Sequence, residues 1–268
     1  MSRSGPTSLA SLDGEIMLAA EATIPATDDG LIRGDGAFEV IRVYDGRPYA
    51  MDAHMERLER SGANLRLPID SETVRTEAYK LLAESTRAGD PDDHRQLRIV
   101  VTRGGRRLLL TEPLPAIPET ARLMSVSYSP TVLLDSIKSL SYGANMLAQR
   151  LAQEAGFDEA LLVTPDGMVL EAPTSTIFWV CDGGLQTTPL HDHVLASITR
   201  ALIGDVIEVT ERLITLPQLC GAEEVFLAST AREVLPVTAV DAHAFAAPGP
   251  VTARTARAVR ERIASELG

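Results

Sequence analysis

Lysine is almost missing from this 268-residue chain: of its 25 basic residues only Lys80 and Lys138 are lysines. Any chemistry that needs a side-chain primary amine is therefore confined to two positions. Cysteine is equally scarce, and Cys181 and Cys220 give neither a metal-ligand spacing nor a disulfide framework. His191 and His193 alternate in HDH without a third clustered ligand, so no metal site is expected. Positive charge is in deficit, 25 basic against 37 acidic residues for a net charge of -12, which removes the field that general nucleic-acid binding relies on. No apolar run approaches the roughly 20 residues needed to cross a bilayer. The opening MSRSGPTSLASLDG has no long apolar signal segment, and we expect a soluble cytoplasmic protein that works without a membrane or nucleic-acid partner.

What is present is ample apolar material, 45% of the chain, enough for one large domain or two modest ones. Residues 8–51 read as short strands broken by turns, and Asp45-Gly46 between apolar and aromatic residues is a hairpin signal. Helices are expected over 53–67 and 71–86, the second placing Lys80 toward water beside Val74, Ala78, Leu81 and Leu82. QLRIVVT at 96–102 is a strand that stops at the basic cluster RGGRR, and the proline-rich TEPLPAIPET is a linker candidate. Beyond it we expect a strand over 123–128, a loop carrying Lys138 and a helix over 142–155. Short strands follow with turns at PDG and DGG, then a helix near 195–203, a strand over 224–228 and a terminal helix over 251–267. Hairpins outnumber repeated βαβ units, which favours two α+β lobes over a doubly wound sheet.

Lys138 lies in DSIKSLSYGANML, polar and glycine-containing, just before a helix. It is either a surface lysine or a nucleophile, and the second role needs a neutral amine produced by burial or a neighbouring positive charge. Glu171 follows the apolar MVL and precedes APTS, where a carboxylate either ends a hairpin or holds a heterocyclic nitrogen protonated. Arg57, the Ser197-Ile198-Thr199 helix start and the Ser229-Thr230 strand end suit a phosphate monoester, since helix-start amides and an arginine fork are both anion donors. Gly34 to Gly36 match neither GxGxxG nor a Walker loop. His54 reads as a helix-face or structural residue, and both cysteines as small buried hydrophobes.

In order along the chain, LIRGDGAFEVIRVYDGRPYAMDAHMERL, IKSLSYGANMLAQRLAQEAGFDEALLVTPDGMVLEAPTSTIF, SITR and EEVFLASTAREVLPV resemble the class IV pyridoxal-phosphate aminotransferases. That group contains branched-chain and D-amino-acid aminotransferases and aminodeoxychorismate lyases. The resemblance implies an α+β fold of type IV and a homodimer. We set a smaller N-terminal lobe at 1–115, a linker at 116–122 and a larger C-terminal lobe at 123–268 carrying the reactive lysine.

It also implies roles. Lys138 would attach pyridoxal 5'-phosphate and move the substrate proton; Glu171 would sit against the pyridine nitrogen; Tyr142 would neighbour the phenolic oxygen. Arg57, Ile198, Thr199 and Thr230 would hold the phosphate. Phe38 and Arg42 match branched-chain-type substrate positions, and Arg107 matches the arginine loop of D-amino-acid aminotransferases, with Leu109 where that loop carries histidine. Ala172 and Thr176 replace the glycine and asparagine of EGxxSN, and KSLS replaces the lyase pattern KxxN. The implied activity moves an amino group from an amino acid, branched-chain-like, to a 2-oxo acid. The alternatives are release of pyruvate and 4-aminobenzoate by a lyase, transfer from a D-amino acid or (R)-amine, and silent cofactor binding.

Overall fold

The computed structural model describes residues 8–88 and 94–268, which fall into two compact units. Residues 1–7, part of the opening segment considered above for a leader, lie outside the described residues. Met1–Pro115 and Ile137–Tyr142 form the first unit; Ala116–Ser136 and Gly143–Gly268 form the second.

The first unit opens on a hairpin of β1 (Leu9–Leu12) and β2 (Glu15–Leu18), turned by Asp13 and Gly14 at positive φ. A short helix, α1 (Asp29–Arg33), follows where the sequence suggested only strands and turns. Asp28 caps it by accepting the Gly30 N–H at 2.7 Å, and Gly34 closes it at φ 69°. Capping chemistry therefore overrode the local strand pattern. β3 (Gly36–Tyr44) returns through Asp45-Gly46 to β4 (Arg47–Pro48), both turn residues having positive φ as a two-residue hairpin requires. α2 (Met51–Leu65) and α3 (Ser71–Arg87) come next, then β5 (His94–Thr102) and β6 (Arg107–Pro113).

The six strands are ordered β2-β1-β6-β5-β3-β4, every neighbour antiparallel. One face is covered by α2 and α3. Its core joins Ala37, Ile41 and Val43 of β3 to Met55 and Leu58 of α2 and to Val74, Ala78 and Leu81 of α3. Each fully buried leucine there stabilises the unit by about 1.5–3 kcal/mol relative to exposure. Lys80 is exposed, as its place on α3 predicted.

The second unit contains β7 (Ala121–Ser127), α4 (Gly143–Glu154), β8 (Glu159–Val163), β9 (Thr176–Cys181), β10 (Gly184–Thr187) and α5 (Ile198–Val206). β11 (Thr210–Glu211), α6 (Leu216–Leu219), β12 (Glu224–Ser229), β13 (Glu233–Val240), β14 (His243–Ala244) and α7 (Pro250–Leu267) complete it. Seven strands run β11-β10-β9-β12-β13-β7-β8, with β14 on β13. β13, β7 and β8 are parallel neighbours, so one βαβ crossover through α4 sits among the hairpins. β12 in the middle of this order and β8 at its end are both buried almost throughout, the pattern of a sheet covered on both faces. Phe178 stacks on its cross-strand partner Phe226 at 5.0 Å.

Two departures from the sequence reading concern boundaries. β7 begins at Ala121, so the last two positions of the expected linker belong to a strand. The segment carrying Lys138 packs with the first unit rather than the C-terminal lobe to which we assigned it. The reason is a backbone pairing with β3 that no local pattern announces.

Candidate active site

Ile137–Tyr142 extends the first sheet at the free start of β3. Phe38 donates its N–H to Lys138 O at 3.0 Å, Leu140 donates to Gly36 O at 2.9 Å, and Ala37 bridges Ser139 antiparallel. Side chains alternate across such a pair, so Ser139 shares the helix-covered face with Ala37 while Lys138 shares the other face with Phe38. The Lys138 Nζ stands 4.4 Å from the centre of the Phe38 ring, and the Tyr142 ring meets Phe38 edge-on at 5.4 Å. Lys138, Tyr142 and Phe38 are thus brought together within one unit. The GDG of the sequence has its explanation here. A Cβ on Gly36 would lie 2.4 Å from Val101 O and 2.6 Å from Leu140 Cδ1, so only glycine lets the lysine segment dock.

Ser61 of α2 accepts the Lys138 N–H at 3.1 Å. One turn earlier on the same stripe lies Arg57, and three residues before that His54. Both reach Glu39, which is 0% exposed on the helix-covered face of β3. Arg57 donates Nε–H to Oε1 at 2.7 Å and Nη2–H to Oε2 at 2.6 Å; His54 Nδ1 lies 2.8 Å from Oε2. Burial pushes the Glu39 carboxyl upward, but the Arg57 charge and the hydrogen bonds from Arg57 and His54 outweigh it and draw it down to about 2. Burial lowers the His54 pKa against the opposing pull of Glu39, so the ring is neutral and donates from Nδ1. Sequence reasoning missed Glu39 and Ser61 altogether. The available signal was a charged residue in the otherwise apolar series Ala37, Ile41, Val43.

A pH dependence follows. The folded Glu39 is more acidic than its ordinary value of 4.5, so its contribution is complete above that pH and is lost as pH falls toward 2. About 3 kcal/mol of unfolding free energy is expected to disappear across this window from this group, measurable by urea unfolding at stepped pH.

The two arginines considered for substrate lie on opposite faces of the sheet. Arg42 shares the Phe38 face, its guanidinium 4.5 Å over the Tyr44 ring. Arg107 pairs in register with the core residue Val101 and so faces the helices, where its Nη2 donates to Glu77 Oε1 at 2.7 Å. The Glu77 hydrogen bond raises its pKa further. Strand register thus sets Arg107 on the face away from Phe38, engaged with Glu77. The rest of the basic cluster is matched internally, Arg103 by Asp35 and Arg106 by Asp13. Arg107→Ala is expected to lower thermal stability, by leaving Glu77 without its partner, with the KM for any oxo acid unchanged; thermal unfolding alongside steady-state kinetics checks both.

The second unit presents a different set. Glu171 ends a stretch zipped to β8 through Leu162 N–H to Glu171 O at 2.9 Å and Leu170 N–H to Leu162 O at 3.0 Å. Its carboxylate accepts the Leu195 N–H at 3.3 Å from each oxygen. Tyr128 is made less acidic by burial and by the Glu171 charge, which places the phenol in that carboxylate's field. Ser197 caps α5 by accepting the Arg200 N–H at 3.2 Å, which makes Ile198 and Thr199 its first two residues, where helix amides point outward. Thr230 lies in the turn joining β12 to β13.

Arg232, two residues on, was not singled out by the sequence reading. It is ion-paired with buried Glu159 of β8 and donates to the hydroxyls of Thr174 and Ser175 in the turn after Glu171. One guanidinium therefore fastens the Glu171 turn and the Thr230 turn to the same strand. Among the described residues no group of three or more His, Cys, Asp or Glu could hold a metal ion, and His193 instead pairs with Asp135. No helix of the described residues is long and apolar enough to cross a membrane.

Comparison with known proteins gives a consistent result. The profile of the family described as amino-transferase class IV matches residues 36–240. A putative branched-chain-amino-acid aminotransferase of Methanocaldococcus jannaschii is 33% identical over 86% of this chain and 87% of its own. A D-alanine aminotransferase of Bacillus licheniformis is 31% identical over 95% and 96%. The PLP-bound form of a hypothetical aminotransferase from Mycobacterium tuberculosis superposes with a TM-score of 0.87 at 25% identity, covering 96% of this chain and 99% of that one.

Proposed function

The chain belongs to the class IV aminotransferases and has their α+β, type IV fold, and we propose that it transfers the amino group of a branched-chain-like L-amino acid to a 2-oxo acid using pyridoxal 5'-phosphate. The observation that carries this reading is the Lys138 amine held beside Phe38 and Tyr142 on a backbone docked to β3. The donor set fits the cofactor's chemistry: an amine for its aldehyde, a carboxylate for its ring nitrogen, and helix-start amides, hydroxyls and a guanidinium for its phosphate. When bound, pyridoxal phosphate supplies an electron sink that makes the substrate Cα–H acidic.

The residues divide the work. Lys138 Nζ would hold the cofactor through its aldehyde and, as a free amine, would serve as the general base for the substrate Cα proton. Glu171 would sit against the pyridine nitrogen, where a carboxylate favours the protonated ring. The amides of Ile198 and Thr199, the Thr230 hydroxyl and Arg57 would hold the phosphate, and Tyr142 would neighbour the phenolic oxygen. Phe38, its cross-strand partner Val100 and that residue's partner Leu108 form an apolar row suited to a branched aliphatic side chain, with Arg42 farther along for a carboxylate.

Similarity to a D-alanine aminotransferase supports a second reading, transfer from a D-amino acid. The engagement of Arg107 with Glu77 weighs against it. The test is the visible spectrum of cofactor-loaded protein titrated separately with L-leucine and D-alanine. Conversion to the pyridoxamine form by L-leucine supports the first reading and conversion by D-alanine alone the second. Pyruvate release from aminodeoxychorismate without an oxo acceptor would replace both with the lyase.

The working form we propose is a cytoplasmic homodimer. Leu147 and Leu151, one turn apart on α4, and Val132 and Leu133 are exposed apolar residues that a second copy would cover. The unbonded Cys181 and Cys220 suit a reducing compartment. Sedimentation of a single monomer at working concentration would contradict the dimer.

A further inference from the structure

Glu39 is out of place by packing criteria. The helix-facing positions of β3 are Ala37, Glu39, Ile41 and Val43, all buried, and an ionised carboxylate there carries a desolvation cost that an aliphatic side chain avoids. A buried ion pair is seldom more stabilising than a well-packed apolar replacement. Stability alone therefore does not account for this residue.

Its partners do. Arg57, 4% exposed, meets both Glu39 oxygens through Nε–H and Nη2–H, a bidentate fork that leaves the guanidinium one setting. An arginine on a helix otherwise samples many rotamers, and that freedom must be given up whenever it grips an anion. His54 adds a third bond to the same carboxylate, and its buried Nε2 has no hydrogen-bond partner among the described residues. His54, Arg57 and Ser61 lie on one stripe of α2, and Ser61 accepts the Lys138 amide. A single helix stripe therefore sets both the arginine and the lysine backbone, with Glu39 as its counterpart across the β3 interface.

We propose that Glu39, backed by His54, is a positioning residue that pre-sets Arg57 for the cofactor phosphate. The inference rests on the phosphate role given to Arg57 above. Two physical effects of Glu39 oppose each other: its negative charge disfavours a nearby phosphate, and its fork pre-organises the cation that binds it. Full burial and bidentate contact put the geometric effect first.

The test measures equilibrium binding of pyridoxal phosphate and of pyridoxal, which lacks the phosphate, to the apo form of the full chain. Glu39→Asp keeps the charge and withdraws the carboxylate by one methylene; Glu39→Gln keeps the size and removes the charge. Both are expected to lose about 10-fold in affinity for pyridoxal phosphate while pyridoxal binding stays within about twofold. Arg57→Gln is expected to lose at least as much, again selectively. Should Glu39→Gln fail to fold, Glu39→Asp, which keeps the buried negative charge while withdrawing it from the fork, carries the test. Wild-type affinity in Arg57→Gln would remove the phosphate role of Arg57 itself. A selective loss in Arg57→Gln with wild-type or tighter binding in the Glu39 variants would overturn the positioning role, as would equal losses for both ligands.

Discussion

Lys138→Ala is expected to abolish transamination while leaving the fold intact. Loss of the general base alone costs about 10²–10⁴-fold in rate, and loss of the cofactor's anchor adds to that. The backbone bonds of residue 138 to Phe38 and Ser61 do not involve the side chain, and a contact such as that of Nζ with the Phe38 ring is worth at most about 0.5–1 kcal/mol at a partly exposed site. Unfolding temperature should therefore stay near wild type. Lys80→Ala supplies the control, because Lys80 is exposed on α3 with a single long bond to Gly14 O at 3.4 Å. Full activity in that variant beside none in Lys138→Ala is the expected result, read by single-turnover mixing with L-leucine.

The second large effect is at Glu171. Glutamine keeps an oxygen able to accept the Leu195 N–H but carries no charge to hold a ring nitrogen protonated. Electrostatic groups aimed at developing charge are worth about 10²–10³-fold. Glu171→Gln is expected to lose that factor in kcat with KM for the amino donor little changed. An equal fall in kcat and rise in KM would mean that the carboxylate shapes the substrate site instead.

Local chemistry explains which features were legible beforehand. Asp45-Gly46 and Asp182-Gly183 were readable because a two-residue hairpin demands positive φ at both positions, and each pair supplies it. α3 was readable because Val74, Ala78, Leu81 and Leu82 recur at helical spacing along its buried stripe. α1 was not, since its existence depends on the Asp28 and Gly34 caps rather than on an apolar face, and none of its residues is buried.

The site divides in the same way. Lys138 was narrowed to one of two by lysine scarcity, and Glu171 and the α5 start by ordered motifs, all properties of short segments. The face that Arg107 takes was not legible, because it depends on the register between β5 and β6, which a one-residue shift would reverse. The docking of Ile137–Tyr142 on β3, the Glu39 cluster and the Arg232 clamp are pairings across tens of residues. Their members are individually unremarkable arginines, glutamates and serines until the fold brings them together.

The central claim is that Lys138 is the residue that carries the cofactor, and borohydride reduction of pyridoxal-phosphate-loaded protein followed by peptide mass analysis tests it most directly. With two lysines in the chain the outcome is unambiguous. The reduced cofactor mass on the peptide containing Lys138, and on no other, is the predicted result; the mass on the Lys80 peptide, or no adduct in protein that binds the cofactor, would contradict the account.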